Sequence, residues 1–409
     1  MCLMLGFVSP VFAETTEEEL VELKARIQEM EQRLVQQDNN IDKKDVLSEN
    51  SLQKKEVLSG ISLEAGATFV HQATSNANGD DLSENDQDVG DASYSIDVCL
   101  TKEFENSVAF IALEAGEGVG ADGELAVFSA VNADATGGDA NISVTEVWYQ
   151  HNLELFIFTF GKLAADAFMD SNEYANDEAT QFLGAEFKHS STIEFPENSA
   201  GLIIGVSFSD MVKAEAIVMD GNADWEDMFE DAFYGGQLTF SPEIAGKDGN
   251  YRVFGWRSKR DHTKWNDSSG IQENSYGFGL SADQELTDTI GVFARYAWQN
   301  PEVYLNGESY SLEYSYSVGI QITGEPWMRD NDVFGIAFGQ IFISDNYKDA
   351  GGYQKADSEG HIEFYYSYKV NDHFTISPDV QIVMNPYGGD AINGDDTIVI
   401  AGIRGQIDF

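Results

Sequence analysis

The sequence predicts an all-β transmembrane protein: an antiparallel β-barrel of about sixteen strands, preceded by a short N-terminal α-helical coiled coil. Three observations predict this fold. Segments of about ten residues alternate between apolar and polar side chains, which is the length of a tilted membrane strand. Tight connections alternate with long acidic ones. Beyond the N-terminus, no run of about eighteen apolar residues is present that could form a membrane helix.

Composition limits the class of molecule and its partners. Gly is abundant at 38 residues and Pro is scarce at 7, which suits strands and turns. The 71 acidic and 23 basic residues give a net charge of −48, which argues against nucleic acid as a partner and disfavours anionic ligands. Cations and neutral solutes remain compatible with this charge, although acidic loops also serve simply to keep a large surface soluble.

The N-terminal 59 residues differ from the rest of the chain. Residues 1–13 are predicted to be the end of a signal peptide, because an apolar stretch leads to a small residue, Ala13. Residues 14–44 are predicted to form a coiled-coil helix, since an apolar seam recurs there at heptad spacing: Leu20, Leu23, Ile27, Met30 and Leu34. The alternative is a helix that packs on its own barrel or frays as a linker. Residues 45–59 are polar and mixed in charge, and we expect a tether there.

The barrel is predicted to span residues 60–409. Alternation with period 2 is clearest near the C-terminus, where Ile362 and Phe364 alternate with Glu363. A tight turn is predicted at His151 and Asn152. Strands are predicted near residues 61–69, 92–101, 107–115, 142–150, 153–162, 202–209, 212–219, 233–241, 251–258, 275–282, 290–299, 310–322, 333–342, 362–370, 374–385 and 399–409.

One long segment, residues 163–200, interrupts the rhythm of strands. It is acidic and rich in turn residues at first, and becomes irregularly apolar from Gln181. Loops of this length inside a compact fold are uncommon and usually functional. We expect this segment to fold inward and constrict the pore, because counting it as one more strand would give the barrel an odd number of strands.

The sequence contains no catalytic constellation. It has no nucleophile elbow, no zinc-binding helix motif and no Gly-rich phosphate loop, and its six His are scattered singly. The acidic stretch Asp390–Asp396 resembles a calcium loop only loosely and is interpreted as a turn. We therefore expect no enzyme activity, no metal site and no cofactor.

The polar phase of the strands supplies the candidate site residues. A charged side chain that faces lipid at mid-bilayer costs about 2–4 kcal/mol for Arg or Lys, so charged strand residues are expected to face the lumen. There they can hydrogen-bond a sugar, set an ion-selective field, or form a salt-bridge lattice that only stiffens the wall. The pore-lining candidates are Arg295, Glu313, Glu363, Lys369, Asp379, Gln381, Arg404 and Gln406.

The C-terminal third contains a set of short motifs, which are Glu363–Tyr366, Ser377–Gln381, Asn385–Pro386, Gly402–Arg404 and the terminal Phe409. Through these residues it resembles the carbohydrate-selective porins of the OprB family. The resemblance implies an outer-membrane porin for passive diffusion of small hydrophilic solutes, with sugars or cations as permeants. The alternatives are an iron, siderophore or general cation-preferring porin, and a structural barrel that tethers the envelope.

Further partners follow from the same interpretation. We expect outer-membrane lipid around the barrel, a homotrimer, and the N-terminal helix in the periplasm. A terminal aromatic residue such as Phe409 is typical of outer-membrane proteins, where the barrel-assembly machinery reads it. We also expect cations to cross faster than anions, because acidic loops line the mouth. Arg295, Lys369 and Arg404 would oppose this preference from the lumen, and replacing Arg295 or Arg404 with Ser would then shift the selectivity.

Overall fold

The computed structural model describes residues 60–409 apart from 79–87, 136, 138–139, 268, 270–272, 309, 351–354, 356, 392–393 and 395. The predicted signal peptide (1–13), coiled-coil helix (14–44) and linker (45–59) lie outside the described residues. Within the described part of the chain, no helix combines the length and the apolar character needed to cross a membrane.

Sixteen long antiparallel strands form a closed barrel, which confirms the predicted fold class. The last strand pairs with the first, from Gly66 opposite Asp408 to Ser75 opposite Val399. The described residues form strands β1 (Ile61–Ser75), β2 (Gly90–Phe104), β3 (Ser107–Glu117), β4 (Ser143–Leu153), β5 (Phe156–Leu163), β6 (Ser199–Ser209), β7 (Val212–Met219), β8 (Phe233–Phe240), β9 (Glu243–Ile244), β10 (Lys247–Lys264), β11 (Glu273–Thr287), β12 (Ile290–Gln299), β13 (Val303–Leu305), β14 (Leu312–Gly324), β15 (Arg329–Ile343), β16 (Glu359–Asn371), β17 (Phe374–Met384) and β18 (Ile398–Asp408). The short strands β9 and β13 only extend the pairing of β10.

Side-chain alternation explains how this sequence closes into a barrel. On β11, Phe278 is 46% exposed on the outer face whereas Ser281 is 1% exposed on the inner face. The same pattern on β18 places Ile403 outside and Arg404 inside. Because successive side chains of a strand point to opposite faces, each strand gives lipid an apolar row and the lumen a polar row.

Tight turns join the strands at one end of the barrel. The β4–β5 turn lies at Glu154 and Leu155, so the prediction of a turn at His151 and Asn152 is wrong by three residues. Glu154 adopts the left-handed region, with φ of 53°, and closes the hairpin between Leu153 and Phe156. Alternation alone does not fix which residues turn when both flanks are apolar.

Two long connections fold into the barrel rather than away from it. Residues 164–198, here called the inward loop, contain the helical turns Ala165–Phe168 and Ala185–Lys188. Residues 118–135, the second inward segment, contain the 3-10 turn Gly120–Glu124. The two are joined by backbone hydrogen bonds, because the Ala133 N–H donates to the Leu183 carbonyl at 2.8 Å and the Ala185 N–H to the Ala130 carbonyl at 2.9 Å.

The remaining helical turns are short and lie in the connections. Asp345–Asp349 follows β15 and is capped by the Ser344 hydroxyl, which accepts from the Asn346 and Tyr347 N–H groups. The 3-10 turns Glu325–Trp327 and Pro386–Gly389 follow β14 and β17.

Candidate functional site

Arg295 holds the inward loop to the wall at β12. Its guanidinium donates to the carbonyl oxygens of Asp170, Phe187 and Ala175 at 2.6–3.3 Å. Its Nε also lies 3.2 Å from Asp170 Oδ1, and both side chains are buried. A planar guanidinium can make this many directed bonds, which a Lys ammonium cannot reproduce. The sequence prediction that Arg295 faces the lumen agrees with this placement, and its partners are backbone groups.

Glu363 and Arg404 hold the middle of the same loop. The Glu363 carboxylate accepts from the Leu183 N–H at 2.6 Å and the Gly184 N–H at 2.8 Å. Arg404 donates to the Glu178 carbonyl at 2.5 Å and the Gln181 carbonyl at 2.8 Å. Both side chains are at most 2% exposed. Three of the predicted pore-lining residues, including Arg295, are therefore engaged by one polypeptide segment.

Gln381 holds the second inward segment. Its Nε2 donates to the Val131 carbonyl at 2.8 Å and to Asp379 Oδ1 at 3.0 Å, while its Oε1 lies 2.9 Å from His361 Nε2. Gln72 on β1 donates to the same Val131 carbonyl at 2.9 Å. Side chains of β1 and β17 thus share one backbone group of the segment.

The other predicted residues lie away from these anchors. Gln406 accepts from the Thr68 hydroxyl within the β1–β18 wall. Lys369 lies at the rim, 3.9 Å from Asp372 across a tight turn. Glu313 lies where the β14–β15 register shifts between Leu312 and Tyr314, so the alternation that assigned it to the lumen is broken at its position. Phe409 is 79% exposed beyond β18, and its role in assembly stays a prediction.

Apolar packing closes the lumen along much of the wall. Phe182 and Phe187 of the inward loop pack against Phe293 and Tyr365, which come from β12 and β16. Further along the loop, the core consists of buried residues from the loop and from β5 to β12: Leu163, Ala165, Met169, Ile193, Ile203, Ile217, Met219, Phe233, Phe254, Trp256 and Ala297. On this side the loop and the wall form a continuous protein core.

An acidic cavity of about 420 Å³ opens on the other side, between the inward loop and strands β2 to β4. Lys188 lines it and pairs with Glu178 at 2.7 Å. Asn176, His189 and Asn198 contribute further polar groups. The cavity has five lining carboxylates, which are Asp97, Glu114, Glu146, Asp166 and Glu178.

A second cavity of about 410 Å³ lies toward the long connections and is here called the vestibule. His189 lines both the vestibule and the acidic cavity, so the two are neighbours. The vestibule combines aromatic rings with hydrogen-bonding groups, namely Phe128, Phe195, Tyr310, Glu194, Arg260, Gln299 and Glu308.

Burial shifts the protonation of groups on the two inward segments. It raises the pKa of Glu186 to about 8, against hydrogen bonds from Ser191 that favour the ionised form. It raises the pKa of Asp134 to about 7, although Ser95 donates to that carboxylate. It also lowers the pKa of His189, which is therefore neutral at pH 7.

Several acidic residues of the lumen were not among the residues predicted from the sequence. Asp97, Glu114 and Glu146 lie on strands, and the alternation that selected Arg295 could have found them. Asp166 and Glu178 had no such signal, because their positions depend on how the inward loop folds. The second inward segment lies between the strands predicted near residues 107–115 and 142–150, where no inward fold was predicted. Glu359 accepts from the Phe128 and Tyr387 N–H groups and fixes that segment inside.

Comparison with known proteins identifies relatives of this chain. The profile of the carbohydrate-selective porin family OprB matches residues 108–409. The high-pH structure of Pseudomonas putida OprB superposes with a TM-score of 0.71 at 15% identity, covering 87% of this chain and 96% of that one. The outer membrane channel DcaP of Acinetobacter baumannii gives a TM-score of 0.50 at 13% identity, covering 85% and 97%. At these identities the two structures show the fold.

One curated relative is also similar. An uncharacterized protein of Aquifex aeolicus (strain VF5) is 27% identical over 144 residues. The match covers 35% of this chain and spans 40% of the length of that relative.

Proposed function

The chain belongs to the carbohydrate-selective porin family OprB, and we propose that it lets small hydrophilic solutes, carbohydrates above all, diffuse passively through its lumen across the outer membrane. The family match over residues 108–409 carries this proposal. The function is that of a channel, and no step of bond-making chemistry is assigned to any residue.

The vestibule supports carbohydrates as permeants. Sugars present both apolar ring faces and hydroxyl groups, so a route for them needs aromatic surfaces beside hydrogen-bonding side chains. Tyr310 and Phe128 lie with ring centroids 5.1 Å apart, and both line the vestibule with Arg260 and Glu308. Gln299 Oε1 is buried there without a hydrogen-bond partner among the described residues.

The inward loop is proposed to be the constriction of the pore. Arg295, Glu363 and Arg404 bind its backbone from three different strands, which fixes its path across the lumen. A loop fixed in this way narrows the opening without moving in and out of it. These three predicted pore-lining residues then act by holding the constriction. The acidic cavity beside the loop provides the passage.

The surroundings of the barrel are proposed from the same reasoning. The outer face carries exposed apolar side chains such as Phe69, Phe160 and Phe278, which suit contact with lipid. A homotrimer, recognition of β18 and Phe409 by the barrel-assembly machinery, and a periplasmic N-terminal helix complete the proposal.

Liposome swelling with a panel of neutral sugars tests the function. We expect monosaccharides to enter faster than larger sugars, and planar bilayers to show steady ohmic steps. Correctly folded protein that gives neither swelling nor conductance would contradict the proposal and favour a barrel that tethers the envelope. Selective uptake of iron chelates without sugar flux would favour a siderophore porin instead.

A further inference from the structure

We propose that the acidic cavity makes this pore select solutes that carry a positive charge beside their hydroxyl groups, such as amino sugars, over neutral and anionic solutes of the same size. The inference rests on the proposed function, because it requires that solutes cross the lumen. It adds the substrate class and the residues that determine it.

The position of the acidic cavity places it on the route through the barrel. The inward loop packs on the walls of β12 and β16 through aromatic side chains such as Phe182 and Phe187. Opposite β2 to β4 the same loop leaves the cavity open, and that cavity meets the vestibule at His189. A solute that leaves the vestibule on this side comes next to the five carboxylates.

The charge balance along this route is negative. Asp97 and Glu114 form no side-chain hydrogen bond or ion pair with any described residue. Lys188 is the one basic side chain of the cavity's described lining apart from neutral His189, and Glu178 pairs with it. Arg295 and Arg404 donate to backbone carbonyls of the inward loop and do not line the cavity.

Two polar atoms beside the cavity indicate that it receives a hydrogen-bonding guest. His189 Nδ1 is buried and lacks a partner among the described residues. Asp134 Oδ2 also lacks one, on a side chain that is 7% exposed and adjacent to the lining residue Ala133. Buried polar atoms without partners are uncommon in folded proteins. A hydroxyl group of a solute or a water in the cavity would give His189 Nδ1 a partner, because the His189 side chain lines the cavity.

A separate third cavity of about 600 Å³ lies at the tight-turn end and is also lined by carboxylates, which are Glu173, Asp210, Asp248, Asp283 and Glu285. Arg252 pairs with Asp283 and Lys247 with Glu285, so the proposed selectivity depends on the acidic cavity. A narrow, low-dielectric passage lined by one sign of charge concentrates counter-ions by about tenfold or more. An ammonium group offers three donors and no acceptor, so it suits a wall of carboxylates.

Tracer exchange across proteoliposomes tests the proposal, with labelled glucosamine, glucose and glucuronate at equal concentrations on both sides. Glucosamine and glucose differ by one ammonium in place of one hydroxyl. We expect glucosamine to exchange roughly tenfold faster than glucose at about 0.01 M salt, and the ratio to approach one at about 1 M, where the Debye length falls to about 3 Å. Glucuronate should be the slowest of the three.

A double variant, Asp97→Asn with Glu114→Gln, identifies the residues responsible. It should bring the ratio of glucosamine to glucose exchange close to one, because the replacements remove two negative charges and keep the shape of each side chain. Equal exchange of glucosamine and glucose in the wild-type protein would overturn the inference and leave the proposed function intact. A folded protein that exchanges none of the three would instead overturn the proposed function.

Cys99 provides an independent measurement that needs no solute flux. It lies two residues from Asp97 on β2, hence on the same face, and is partly exposed. In a Cys2→Ser background, a cationic methanethiosulfonate should modify Cys99 roughly tenfold faster than an anionic reagent of similar size at low salt. Asp97→Asn should reduce this ratio. Equal rates for the two reagents would contradict the proposal.

Discussion

Charged side chains have different partners on the two sides of the lumen. On the walls of β12, β16 and β18, Arg295, Glu363 and Arg404 bind backbone groups of the inward loop. On the walls of β2 and β3, the carboxylates of Asp97 and Glu114 face a cavity and have no hydrogen-bond or ion-pair partner among the described residues. A charge on the inner face of a barrel can therefore stabilise the structure or set permeation, and its partners decide which.

The difference has an energetic basis. Buried charges are tolerated when hydrogen bonds and an opposite charge compensate their desolvation, as Asp170 and the three carbonyls do for Arg295. Charges that face an open cavity, such as the partly exposed carboxylates of Asp97 and Glu114, lose less hydration and depend less on such partners. Substitutions on the first side should change stability, and substitutions on the second should change selectivity.

The largest effect is expected for Arg295→Ser. The change removes hydrogen bonds to three carbonyls and leaves Asp170 buried without its counter-charge, a loss of about 3–5 kcal/mol. The folded form in gels should disappear at a lower temperature, and the conductance should become larger and noisier as the loop detaches.

Arg257→Ser is the matched control, since Arg257 is an exposed residue of β10 whose one hydrogen bond, to Asn274, is 3.5 Å long. Equal stability of the two variants would contradict the anchoring role. Arg295→Lys can be measured if Arg295→Ser does not fold. It keeps the positive charge but not the planar set of donors, so its loss of stability should be intermediate.

A neighbouring pair of glycines on β8 tests the packing of the inward loop. A Cβ at Gly235 would lie 2.3 Å from Met169 Sδ and 2.7 Å from Ile217 Cγ2, whereas one at Gly236 would meet nothing closer than 3.7 Å. Overpacking costs about 1–3 kcal/mol, so Gly235→Ala should lower the urea midpoint and Gly236→Ala should leave it unchanged. The same response in both variants would mean that the loop does not pack on this wall.

The stability of the barrel should fall with pH through Glu186. Its pKa is raised by burial from 4.5 to about 8, so the folded state holds a proton that the unfolded state releases between these values. The stability is fully present below about pH 4.5 and decreases until about pH 8. Unfolding in urea at acid and alkaline pH should show a smaller pH effect in Glu186→Gln than in the wild type.

Glu243→Gln, at an exposed position, provides the control for this pH effect. This variant should show the same change of unfolding free energy with pH as the wild type. A Glu186→Gln variant with an unchanged slope would show that Glu186 is already ionised in the folded barrel.

The smallest effect is expected for Lys369→Ser. Lys369 pairs with Asp372 at 3.9 Å, and the two side chains are 37% and 95% exposed. Exposed pairs of this kind contribute less than about 1 kcal/mol. Neither the unfolding midpoint nor the ion selectivity should change measurably. A clear gain of cation preference on removing this positive charge would be inconsistent with a rim position.

Strand alternation predicted the barrel and the inward direction of Arg295, Glu363, Gln381 and Arg404, because lipid on one side enforces the pattern. It could not place Glu313, since a register shift depends on the pairing of two strands and not on the residues of one. Strand alternation also could not predict the fold of the inward segments. Glu359 binds Phe128 across 231 positions of sequence, and no local pattern encodes that contact.

The contacts of Arg295 and Arg404 change the role expected for these residues. From the sequence, Arg295 and Arg404 were expected to oppose cations in the pore, and their loss was expected to shift the selectivity. The described contacts give both guanidinium groups backbone carbonyl partners instead. Replacing Arg295 or Arg404 should therefore change the stability of the barrel more than its ion selectivity.

The reversal potential across a tenfold KCl gradient at low salt separates the contributions of the two sides of the lumen. We expect a cation-selective value for the wild-type protein, a value close to zero for the variant with Asp97→Asn and Glu114→Gln, and no change of sign for Arg404→Ser. An anion-selective wild type, or a sign that changes with Arg404 and not with Asp97 and Glu114, would contradict the division of the lumen into an anchoring side and a permeation side.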